Sequence, residues 1–328
     1  MNNPTTPMSP QPAEVPDKHT INNGSSIMAW LQLVRLPTVF TALSNILCGF
    51  LITHRIPQIK VAQLTAQHEL WLLLLSTSGL YLGGMVLNDV FDAKLDALER
   101  PERPIPSGRI SLRSATAFGS LLMLMGVIAA AMVGTPSLVV AALIVPCVLA
   151  YNGFLKTTIA APLGMGTCRF LNLMLGASAV SDLGLLWQAL PMTVAGALGI
   201  YILGVTVFAR NEAGQSKPAL LVCGMILLVG GICLDAWAIT RFGTSQNAVN
   251  GSRMALLILS LNLLMRAAAA IPSGAPRRIQ KTVGLMLLCI IFLDAIMVFA
   301  ITADPKLAAL VIMLVAPASL LRRMIPMS

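Results

Sequence analysis

Polar and apolar residues fall along this chain in long blocks rather than in the short periods of a soluble fold. Apolar runs lie near residues 28–53, 70–90, 112–133, 136–154, 162–180, 187–208, 217–240, 254–272, 281–302 and 306–321. About 20 apolar residues in helical conformation cross ~30 Å of hydrocarbon. Lipid offers no partner to an exposed peptide group, so segments this apolar must be helices. The pattern therefore predicts an all-α polytopic membrane helix bundle of nine spans, with a tenth, short one at the C-terminus. Residues 1–25 are rich in Pro, Thr, Asn and Ser and lack an apolar core, which predicts a disordered cytosolic tail rather than a signal peptide. Residues 26–328 then form one membrane domain.

Composition agrees. Of 328 residues, 56% are hydrophobic and 11% charged, against about 25% charged in soluble domains. The net charge of +9 would suit a nucleic-acid partner, but the basic residues sit in short loops between apolar runs. With the N-terminus inside, Arg55, Lys60, Arg241, Arg253 and Lys306 lie outside, and 17 of the 22 Lys and Arg lie inside. That bias is the positive-inside rule at work. It places a multi-pass protein in an inner or plasma membrane and argues against nucleic acid. Six cysteines lie within apolar runs with no CxxC spacing, and the three histidines fall at 19, 54 and 68. A Cys/His metal site and a Ser-His-Asp triad are both disfavoured.

One stretch breaks the apolar pattern in a chemically informative way. At the end of the second run stand Asn88, Asp89, Asp92 and Asp96, the aspartates at i, i+3 and i+7. That spacing predicts one helix face. The bland reading is a helix end anchored among headgroups, but clustered carboxylates gain nothing there and are costly in a membrane. Carboxylates and amide oxygens suit Mg²⁺, which is held by one or two carboxylates with phosphate oxygens and water. The following loop carries Arg100, Arg103 and Arg109 among Pro101, Pro104, Pro106 and Gly108. Guanidinium groups suit bidentate phosphate contact, so the stretch reads as a diphosphate site.

The predicted topology brings further polar residues to the same cytosolic face. Arg35 lies early in the first span, Lys156 closes the fourth beside Tyr151 and Asn152, and Arg169 with Asn172 opens the fifth. Arg210, Asn211 and Glu212 close the sixth. Each has an ordinary alternative: a snorkelling lysine, a polar helix end, an arginine paired within the bundle. Asp235 and Asp294, in spans seven and nine, read as partners of other helices, and Arg266, Arg277, Arg278 and Lys281 as topology signals.

These residues carry a resemblance to the UbiA-type intramembrane prenyltransferase superfamily. Asn88, Asp89, Asp92 and Asp96 match its first motif, NDxxDxxxD, and Arg100–Gly108 (RPERPIPSG) is most similar to the corresponding loop of chlorophyll synthases. Arg35-x-Pro37 and the GxxRxxNxxxG run of Gly166, Arg169, Asn172 and Gly176 also fit, and residues 165–178 are similar to the EboC-like branch. The resemblance covers residues 28–300. It implies about nine helices around a central cavity whose cytosolic mouth binds Mg²⁺ and a polyprenyl diphosphate. Metal and catalytic roles then fall to Asp89, Asp92, Asp96 and Glu212. Diphosphate contacts fall to Asn88, Arg35, Lys94, Arg103, Lys156, Arg169 and Arg210. The family's second motif is Asp-rich, whereas this chain offers only Glu212 there. The implied reaction is prenyl transfer to an unidentified acceptor through an allylic carbocation. A non-catalytic membrane partner and a transporter are the competing classes; the depleted second motif motivates the first, while clustering at one face disfavours the second.

Overall fold

The computed structural model describes residues 26–54, 64, 66–210, 218–272 and 275–324. The N-terminal 25 residues and Glu212 lie outside the described residues. Within them the chain is helical throughout, without strands. The helices are α1 (Ser26–Val34), α2 (Phe40–His54), α3 (His68–Phe91), α4 (Ala93–Glu99), α5 (Leu112–Val133), α6 (Thr135–Gly153) and α7 (Ala161–Gly176). They continue with α8 (Ala189–Ala209), α9 (Pro218–Phe242), α10 (Gln246–Ala270), α11 (Pro276–Thr302), α12 (Pro305–Ile312) and α13 (Val315–Met324).

Among the described residues, eight helical stretches are long and apolar enough to cross a membrane, and nine if α1 and α2 count as one bent span. The short member of the bundle is α7 rather than the C-terminal segment. Its 16 residues reach about 24 Å at ~1.5 Å per residue. The expected tenth span is instead long enough, because α12 and α13 together run Pro305–Met324 across a break at Met313 and Leu314.

The first span does not run straight. Pro37 disfavours helical geometry at Leu36 and lacks an amide hydrogen, so the helix cannot continue through it. Arg35 takes the left-handed conformation at φ 48°, a 3-10 turn spans Leu36–Thr38, and the two halves meet at 42°. The kink lifts the Arg35 side chain out of the helix wall.

Small residues let the helices approach closely, as association in lipid requires. On α8, a Cβ at Gly204 would lie 2.5 Å from the Leu228 backbone nitrogen and 2.7 Å from the Gly224 oxygen on α9. At Gly176 of α7 it would lie 2.6 Å from the Ile46 oxygen of α2. Buried Tyr201 of α8 donates its hydroxyl to the Met286 carbonyl of α11 at 2.8 Å, tying the two halves of the bundle together.

Candidate active site at the polar end of the bundle

The aspartate stretch sits where a helix ends. α3 stops at Phe91, Asp92 caps it, and α4 begins at Ala93. One continuous helix face carrying all three carboxylates, the expectation from spacing, is therefore not what forms. The break turns Asp96 inward on a new helix, and Asp89 and Asp96 are only 5% and 4% exposed. Lys94, on the same short helix, is exposed to solvent.

Each carboxylate meets a cation from a different part of the chain. Arg35, freed by its kink, donates from Nη2 to Asp89 Oδ1 at 2.7 Å. Lys156, in the 3-10 turn after α6, donates from Nζ to Asp92 Oδ1 at 2.6 Å and to Asn88 Oδ1 at 3.1 Å. The loop after α4 coils back on itself, with Ser107 N donating to the Arg103 carbonyl at 3.0 Å and Ile110 N to the Pro104 carbonyl at 3.0 Å. Gly108 makes the turn at φ 76°, a conformation in which glycine is unstrained. Buried inside this coil, Arg103 donates from Nη1 to Asp96 Oδ2 at 2.7 Å and lies 3.7 Å from Asp89 Oδ1. Arg109 pins the loop to α1 through Gln32 Oε1 at 3.1 Å and closes it through the Glu102 carbonyl at 2.7 Å.

Three anions and three cations thus interleave at one end of α3. In buried pairs of this kind, deleting one partner strands a charge. Arg103 is the most enclosed of the three cations, and its place between two carboxylates makes it the keystone of the loop. The sequence reading gave it a diphosphate contact; its contacts here are to the protein's own aspartates.

Beneath this layer lies a cavity of about 250 Å³ whose lining includes Arg35, Asn88 and Arg169. Its other walls are largely apolar, from Leu80, Ile144, Val148 and Met165 among others. Arg169 pairs with no motif carboxylate. Its guanidinium lies 5.3 Å from the centre of the Tyr81 ring and donates to Thr41 Oγ1 at 2.9 Å and Asn45 Oδ1 at 3.2 Å. Asn45 in turn donates to Asp294 Oδ2 at 2.7 Å, which also accepts from Ser44 Oγ at 2.6 Å. Asp294 is therefore the base of a relay running through α2 to the cavity wall. Asn172 donates to the Ala42 carbonyl at 3.0 Å and accepts from Thr77 Oγ1 at 2.6 Å, fastening α7 to α2 and α3.

Of the sequence-predicted residues, Arg35, Asn88, Asp89, Asp92, Asp96, Arg103 and Lys156 come together, and Arg169 lines the cavity beside them. Arg210 is exposed and donates to the Thr158 carbonyl at 3.2 Å, against the turn that carries Lys156 rather than against the carboxylates. Tyr81, Thr41 and the Asn45–Asp294 pair were not predicted as part of the site. Asn45 was visible as a polar residue in an apolar run; nothing distinguished Tyr81 from a lipid-facing tyrosine. Among the described residues, no three His, Cys, Asp or Glu side chains stand together as a preformed metal cage.

Fold and site define a polytopic membrane helical bundle with a charge-paired polar mouth opening on an apolar cavity. Residues 42–325 match the UbiA prenyltransferase family. The chain belongs to that family, as the motif residues had indicated. A digeranylgeranylglyceryl phosphate synthase of Sulfurisphaera tokodaii is 28% identical over 131 residues, covering 40% of this chain and 45% of that protein. The matched stretch thus spans less than half the length of that relative. In three dimensions, the apo structure of a UbiA homolog from Aeropyrum pernix K1 is similar with TM-score 0.61 and 18% identity, over 84% of this chain and 96% of that one. A UbiA homolog from Archaeoglobus fulgidus bound to GPP and Mg²⁺ has TM-score 0.52 and 17% identity, over 84% of this chain and all of that one (100%). These structures share the fold.

Proposed function

We propose that this protein transfers a prenyl group from a polyprenyl diphosphate to an acceptor within the membrane, in an Mg²⁺-dependent reaction. The observation that carries this reading is the junction of Arg35 and Asn88 with an apolar cavity: an anionic head and a long apolar tail fit the two halves of that space. The Archaeoglobus fulgidus homolog bound to GPP and Mg²⁺ supports it.

The donor set fits the metal. Asp89, Asp92 and Asp96 with Asn88 present only oxygen donors, and Mg²⁺ is ordinarily held by one or two carboxylates plus substrate phosphates rather than by an all-protein cage. A preformed cluster of three ligands is therefore not required. Asp89, Asp92 and Asp96 would hold the ion, with Glu212 a further candidate; when bound, it would neutralise charge on the departing diphosphate.

The protein's own side chains do the rest in this proposal. An incoming diphosphate competes with Asp89 and Asp92 for Arg35 and Lys156, so the cations that now close the site turn to the ligand and release carboxylate oxygens. Arg169, already positioned at the cavity wall by Thr41 and Asn45, contacts the head from below. Arg103 stays with Asp96 and keeps the loop folded. Lys94 and Arg210 have no part in this binding. The apolar walls then exclude water while the allylic C–O bond ionises, and the rings of Tyr81 and Tyr151 offer π faces to the carbocation. The acceptor attacks it, and the site faces the cytosol.

The test is diphosphate release by purified protein given GPP or longer donors, Mg²⁺ and a membrane lipid extract as acceptor source. Asp89→Ala and Asp92→Ala should each lower the rate by on the order of 100-fold, the scale of a lost transition-state contact. Undiminished release in both variants would overturn the assignment. Uptake of an unchanged solute into sealed vesicles, with no diphosphate released, would favour a transporter.

A further inference from the structure

Away from this mouth, a second cluster of basic residues has no place in the proposed reaction. Arg266 near the end of α10, with Arg278 and Lys281 in the first turns of α11, lines a recess of about 340 Å³ floored by Ala269, Thr282 and Leu285. Three cations from two helices therefore share one corner.

No carboxylate of this half of the chain balances them. From Gln246 to Met324 the acidic residues are Asp294 and Asp304. Asp294 is spent on Ser44 and Asn45, and Asp304 caps α12 by accepting from Lys306 N at 2.8 Å. Among the described residues, none of the three cations takes part in an ion pair. Like charges gathered without a counter-ion repel one another, and an anion seated between them relieves that cost.

Retention of positive charge on one membrane side explains residues at a helix start such as Arg277 and Arg278. It does not explain Arg266 within a helix, where its Nε is held by Asn262 Oδ1 at 3.0 Å on the same helix. The surroundings indicate what kind of anion fits. Leu257, Leu261 and Met265 form an exposed apolar stripe at four-residue spacing along α10, ending beside Arg266. A ligand with a negative head and acyl chains would place the head in the recess and the chains along the stripe. We infer that this corner binds the phosphate of an anionic membrane phospholipid, at a site separate from the candidate active site. Basic pockets between membrane helices recognise such headgroups by general electrostatics.

The test uses the full-length protein purified in a neutral detergent, with native mass spectrometry reading bound lipid and thermal unfolding reading stability. Phosphatidylglycerol and phosphatidylcholine of identical acyl chains are compared, with inorganic phosphate as a third arm. The wild type should retain and be stabilised by phosphatidylglycerol in preference to phosphatidylcholine. The preference should fall about fivefold per charge removed in Arg278→Gln/Lys281→Gln, and persist in the charge-keeping Arg278→Lys/Lys281→Arg. Arg266→Gln, a single change at an exposed position of α10, should lower the preference in the same way and serves if the double variant misfolds. Equal retention of the two lipids by wild type, or an unchanged preference in the neutral variants, overturns the proposal. Stabilisation by inorganic phosphate equal to that by phosphatidylglycerol assigns the corner to a free anion and overturns the lipid assignment.

Discussion

Lys156 and Arg103 both face aspartates, yet they sit in different surroundings and should fail differently. Lys156 is reachable from the mouth, with its side chain 19% exposed, and bridges Asn88 and Asp92. Lys156→Met should leave the fold intact and weaken prenyl diphosphate binding by on the order of 10- to 100-fold, the value of about 1.5–3 kcal/mol of charge-assisted contact. Isothermal titration against unfolding midpoint separates the two effects. Arg103, at 6%, is closed in with Asp96 at 6% and Asp89 at 7%. Arg103→Leu should cost about 3–5 kcal/mol of stability, because buried Asp96 loses its counter-charge and Asp89 is left with Arg35 alone. A denaturant midpoint equal to wild type would show that the loop does not depend on it. The relay behind Arg169 gives a third case. Asp294→Leu leaves Ser44 and Asn45 without their acceptor, at about 1–3 kcal/mol, and should also loosen Arg169 through Asn45. Asp294→Asn, which retains an acceptor oxygen, should restore most of both stability and donor binding.

At the scale of the helix, close approach through small residues carries the bundle. Gly204→Val would drive a side chain into the α9 backbone at Gly224 and Leu228, and overpacking of this kind costs about 1–3 kcal/mol or more. The expected readout is a lower thermal midpoint and poor recovery from detergent, whereas Gly153→Ala, facing only the edge of Phe91 at 3.9 Å, should be near neutral. Helix existence and order were legible in the sequence, because 20-residue apolar blocks have one stable form in lipid. What was not legible is where helices break. The 3.6-residue period at Asp89, Asp92 and Asp96 reads as one face, and only tertiary pairing of Asp96 with Arg103 and Asp92 with Lys156 reveals the break between α3 and α4. Pro37 announced a disturbance in the first span, but not that Arg35 would turn into a left-handed conformation and reach Asp89. α7 was taken for a full span, since Ala177, Ala179 and Val180 extend its hydropathy past the point where its helix stops.

For the whole molecule, we propose that the excess of basic residues at the end bearing the candidate site sets the direction of insertion and turns that end to the cytosol. In a cysteine-reduced background, an impermeant maleimide should label Gln246→Cys in intact cells and label Arg277→Cys only after lysis. The reverse pattern would place the site on the outer face. The candidate site as a whole was the most legible feature of the sequence, because a carboxylate cluster within apolar blocks is too costly to be incidental. Tyr81, Ile144 and Val148, which shape the cavity, carried no such signal; an apolar residue facing a cavity reads like one facing lipid. The central claim is that the prenyl diphosphate head is bound at Asn88–Asp96 with Mg²⁺ and its tail in the cavity beneath. The most direct measurement is equilibrium binding of geranyl and longer polyprenyl diphosphates to purified protein with and without Mg²⁺, comparing wild type with Asp92→Ala. Binding that requires both the ion and Asp92 is the predicted result; no binding of any chain length, or binding indifferent to both, contradicts it.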